Sequence, residues 1–66
     1  MARERFLAKT PQSSTARWVF INPKAVNTIE ATGSGCKIHV AGIPYPYSMS
    51  VTADEADERL NAAEKR

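Results

Sequence analysis

Cysteine and histidine each occur once, as Cys36 and His39. One cysteine excludes an internal disulfide, and two such residues fall short of the ligand set of a structural zinc site. No apolar run approaches the roughly 20 residues of a membrane span. Residues 1–9 are partly basic but hold no apolar stretch of about 7–15 residues, so no secretion signal is expected there. A lone cysteine without such a signal predicts a reducing cytoplasm. Glycine is confined to positions 33, 35 and 42, and Gly33-Ser34-Gly35 lacks the lysine and the following helix of a phosphate-binding loop. Cys36 and His39 stand three apart in a strand-like run, which puts them on opposite faces and predicts a buried thiol and a solvated imidazole. No catalytic, metal or cofactor site is expected, and the chain reads as non-enzymatic.

What is present is a small chain with an uneven charge. Its 66 residues make one domain at most. A core of this size contributes only about 3–5 kcal/mol. With neither disulfide nor metal, self-association, most simply a homodimer, is the expected support. Residues 1–24 carry five basic side chains against Glu4 alone, whereas residues 51–66 carry five acidic side chains against three basic ones. This asymmetry permits an anionic partner on one face.

Apolar periodicity supplies the fold class. From residue 36 to residue 51, Cys36, Ile38, Val40, Tyr47, Met49 and Val51 fall at alternate positions, and from residue 52 onward Ala53, Ala56, Leu60 and Ala63 fall at helical spacing. Period two means strand and period near 3.6 means helix. Thr52 with Glu55 three residues later forms a capping box, and Glu55 with Arg59 is an i,i+4 pair of the favourable order. Asn22-Pro23 predicts a capped helical turn through Val26. Residues 27–32 and 36–40 read as a hairpin around a three-residue Gly33-Ser34-Gly35 loop, with Glu30 facing Lys37 or His39. Residues 45–51 read as the last strand, its proline-bearing start at an edge or bulge. Residues 1–16 read as a flexible basic arm or an edge strand, and residues 17–66 as the domain. The expected architecture is α+β: an antiparallel sheet of three or four strands with one C-terminal helix. A small SH3-like barrel plus helix, closed by a strand from the arm, is the second choice.

The run Arg17-Trp18-Val19-Phe20-Ile21 is aromatic and β-branched, and its consecutive apolar residues predict burial on both faces, one of them by a partner. Ile43, Tyr45 and Tyr47 alternate with Pro44 and Pro46 in a rigid loop of the kind enriched at interfaces. The expected protein interface is therefore Trp18, Phe20, Ile43, Tyr45 and Tyr47. A second reading is a nucleic-acid surface built from Arg3, Arg5, Arg17, Lys24 and Lys37, with Trp18 or Tyr45 stacking on bases.

The run Phe20-Ile21-Asn22-Pro23-Lys24-Ala25-Val26-Asn27-Thr28-Ile29-Glu30-Ala31, followed by the Cys36 strand and the Thr52 helix, resembles the small FlbD-like flagellar accessory proteins. A similar cadence occurs in LytTR-type DNA-binding domains. The resemblance covers residues 18–62 and implies a non-enzymatic accessory protein. In size and lack of chemistry the chain also looks like a short phage-encoded binder.

Overall fold

In the computed structural model, residues 3–65 are described. The order is β1 (Glu4–Thr10), β2 (Ser13–Ile21), a 3-10 turn (Pro23–Ala25), β3 (Val26–Thr32), β4 (Gly35–Val40), β5 (Tyr47–Met49) and α1 (Ala53–Glu64). The five strands form one antiparallel sheet in the order β2-β1-β5-β4-β3, and α1 packs on one face. This is the expected α+β class, with one strand more than the sequence suggested. The first and last strands pair, so the meander turns back on itself and leaves β2 and β3 as its two edges.

The extra strand corrects the reading of residues 1–16. Glu4–Thr10 is neither an arm nor an edge: it pairs with β2 from Glu4↔Ile21 to Thr10↔Ser13, and with β5 at Lys9↔Ser48. The boundary drawn at residue 17 falls inside β2, because Pro11-Gln12 is a tight hairpin turn and the strand resumes at Ser13. Burial explains the placement. Phe6 and Ala8 are 1% and 2% exposed and join Ile21, Cys36, Ile38, Met49, Ala56 and Leu60 in the core. The 3.3–3.4 Å rise of a strand returns every second side chain to one face, so two apolar residues two apart suffice to commit β1 to that core.

Local signals fix the other elements. Asn22 Oδ1 accepts from the Lys24 amide at 3.0 Å, with Pro23 at the first position of the 3-10 turn. Thr52 Oγ1 accepts from the Glu55 amide at 3.1 Å and starts α1, whose buried residues are Ala56, Leu60 and Ala63. The β3–β4 turn is tighter than expected: Thr32 pairs with Gly35, leaving only Gly33 and Ser34 in the loop. Gly35 has φ 156°, and a Cβ there would lie 2.0 Å from the Met49 carbonyl oxygen. The last strand is shorter than expected, because Pro44 and Pro46 have no N–H to donate and regular pairing starts only at Tyr47. It is internal, lying between β1 and β4.

Arg59 ties the helix to the sheet. Its Nε donates to Glu4 Oε2 at 2.9 Å, its Nη2 donates to the Arg5 carbonyl, and its guanidinium lies 4.3 Å from the centre of the Phe6 ring. The expected pairing with Glu55 gives way to this one. A partly buried carboxylate, a carbonyl and an aromatic face together hold a guanidinium better than one exposed carboxylate does.

Three outcomes follow for stability. Gly35→Ala should cost about 3 kcal/mol or more, most of what a domain of this size has; urea titration by circular dichroism should find it largely unfolded. Arg59→Ala should lower the unfolding free energy by about 1–2 kcal/mol, against no more than about 0.5 for Glu58→Ala on the exposed helix face. Burial raises the Cys36 thiol above its usual 9.0. The folded state therefore holds that proton more tightly than the unfolded chain. The thiol's contribution is complete below pH 9 and is lost as pH rises through the folded-state value. The urea midpoint should fall between pH 8 and pH 10, and fall less in Cys36→Ala.

Candidate functional site

The alternation that buries Phe6 and Ala8 turns Arg5, Leu7 and Lys9 to the opposite face of the sheet, away from α1. In the β1–β2 register Leu7 pairs with Trp18 and Arg5 with Phe20. The pairs bring three large apolar side chains together at the surface: Leu7 is 48% exposed, Trp18 56% and Phe20 66%. The Arg5 guanidinium lies 4.4 Å from the centre of the Trp18 ring, a cation–π contact across the two strands.

Cations continue the patch across the outer face. Lys9 is opposite Ser48, Ser48 is opposite Lys37, and Lys37 is opposite Glu30. A shallow depression of about 270 Å³ between β1 and β5, lined in part by Leu7, Lys9, Ala16 and Ser48, adjoins the apolar residues. The cationic row ends at β3, where Glu30 Oε1 is 3.6 Å from His39 Nε2. This diagonal contact realises the expected pairing across the hairpin. The acidic side chains of α1 lie on the other side of the sheet.

Of the five residues expected at a protein interface, the structure joins only Trp18 and Phe20. Within the chain the strand buries one face: Val19 and Ile21 face the core, while Trp18 and Phe20, on the face expected to meet a partner, stay in solvent. Ile43, Tyr45 and Tyr47 are half-buried and lie elsewhere. Tyr47 packs on the core and meets Tyr45 edge to face, with centroids 5.9 Å apart. Tyr45 lines a depression with Ala8 and Val19, on the core side of β1 and β2. This loop therefore lies over the core side of the sheet and not on its outer face.

The five basic residues do not form one cluster either. Arg5 and Lys37 share the outer face, but Arg17 projects from the opposite face of β2, Lys24 lies in the 3-10 turn beside α1, and Arg3 precedes β1. Leu7 and Lys9 were missed because residues 1–16 were read as an arm or an edge strand with no faces assigned; the pattern Arg5-x-Leu7-x-Lys9 around Phe6 and Ala8 carries the signal. Cys36 is buried and His39 faces outward, so no thiol–imidazole pair exists. Among the described residues, no group of three or more His, Cys, Asp or Glu is placed to hold a metal ion, and no helix is long and apolar enough to cross a membrane.

The resemblance to FlbD-like and LytTR-type proteins rests on residues 18–62 alone, for no family model, curated protein or solved structure matches this chain.

Proposed function

We propose that this chain is a non-enzymatic protein-interaction module, an accessory or inhibitor-type binder acting in a reducing cytoplasm through the outer face of its β1–β2 hairpin. The carrying observation is the contiguous exposure of Leu7, Trp18 and Phe20 in so small a chain. Burying that surface in a partner removes apolar area from water at about 25 cal/mol per Å². Aromatic anchors held by a rigid sheet lose little side-chain entropy on binding, which suits Trp18 and Phe20 to a central role. Arg5 and Lys9 ring the patch, so two copies meeting patch to patch would set like charges against each other. The partner that fits is a protein surface with an apolar centre and carboxylates around it.

One observation favours a second reading, a single-stranded nucleic acid on the same face. Arg5, Lys9 and Lys37 lie on the same side of the sheet as Trp18 and Phe20, and the acidic helix lies on the other. Aromatic side chains on a cationic sheet form a stacking platform for bases.

Affinity capture from host lysate, with and without nuclease, separates the two readings. Capture by the wild-type chain should survive nuclease and change little with salt. Phosphate contacts would instead give a log–log salt slope near −0.9 for each contact. The Trp18→Ala/Phe20→Ala variant should lose partner binding by about 30-fold or more, the effect of removing a hot-spot aromatic. If that variant retains the same partners at the same strength, the patch is not the binding surface.

A further inference from the structure

The sheet has two free edges, β2 and β3, and they differ in charge. β3 borders a groove of about 480 Å³ between itself and α1. Val26, Ile29 and Leu60 supply its apolar lining, and Asp54, Asp57 and Glu64 its acidic wall. No basic side chain lines it; the neutral amide of Asn61 donates to Asp57 at 3.4 Å. The β2 edge is the complement. Its core-side face presents Val19 and, beyond the reach of α1, Arg17, which is exposed and makes no ion pair with a described residue. β2 contains no acidic residue.

We infer that the β2 edge of one copy adds to the β3 edge of the next, so that the chain assembles head to tail. The period of two decides what meets what. When β2 extends the neighbour's sheet beside β3, its core-side residues fall on the helix side. Val19 then meets the apolar lining of the groove, and Arg17 meets Asp57 and Glu64. Unsatisfied backbone groups on both edges gain ladder partners, which removes two exposed edges that would otherwise invite indiscriminate pairing. Because two different edges meet, the contact is heterologous. It produces a ring if the rotation between copies closes and a filament if it does not. It also supplies the support that a core of this size lacks. The patch of Leu7, Trp18 and Phe20 faces the other way, so this assembly does not depend on the partner proposed for that patch and leaves it open.

Charge exchange between two variants tests the arrangement. Arg17→Glu and Asp57→Lys/Glu64→Lys are each purified, checked for fold by circular dichroism, and measured alone and mixed by light scattering after size exclusion. Glu64 lies in the last turn of α1, where a lysine suits the helix dipole, so that variant should fold. The wild-type chain should form assemblies larger than a dimer, weakened by salt. Each variant alone should dissociate to monomer, and the equimolar mixture should reassemble, since each faulty edge then finds an opposite charge. A wild-type chain that is monomeric at millimolar concentration overturns the inference. So do a two-fold dimer indifferent to both substitutions, and variants that stay monomeric when mixed.

Discussion

The structure depends on the double pairing of β1. This strand is held by β2 along most of its length and reaches β5 at Lys9↔Ser48. β5 has only three residues, so without β1 it would be a short edge carrying little of the core. With β1 in place, Phe6 and Ala8 fill the space between the two halves of the sheet, and Arg59 fastens α1 over the Phe6 ring while binding Glu4 and the Arg5 carbonyl. The helix is poor in bulk, with Leu60 as its one large buried residue. It stays in place because a guanidinium contact supplements a thin apolar stripe.

The same strand creates the surface. A strand that buries residues 6 and 8 must expose residues 5, 7 and 9. Register then sets Leu7 beside Trp18 and Arg5 beside Phe20, which converts residues far apart in sequence into one apolar patch with cations at its margin. The sheet also separates the charges: the cationic row of Lys9 and Lys37 lies on one side, and the carboxylates of α1 on the other. The carboxylates of the helix are therefore held away from the cations of the outer face by the sheet between them. Both proposals draw on this separation, one from each side of the sheet.

Much of the fold was legible in short-range chemistry. Asn22-Pro23 marked its turn, Thr52 and Glu55 marked the start of α1, and Ala56, Leu60 and Ala63 marked its buried stripe, because each of these signals acts within a few residues. Cys36 and Ile38 were assigned to the core by alternation alone, and the structure buries both. The misreadings were long-range. Tyr45 and Tyr47 were expected at an interface because prolines alternate with them, yet they fold over the core side of the sheet. Arg17 and Trp18 are neighbours in sequence but belong to opposite faces. Arg59 had an attractive local partner in Glu55 and took a distant one.

The sequence by itself determined the class of the domain, the caps of its turn and helix, the period of each strand and the unequal charge of its two ends. These follow from side-chain spacing and local hydrogen bonding. Only the tertiary structure decided that residues 4–10 lie inside the sheet, which face of β2 meets solvent, and which cations share a surface. Strand order and register are set by pairings between distant segments. A strand of period two has two equivalent faces until a neighbour buries one of them.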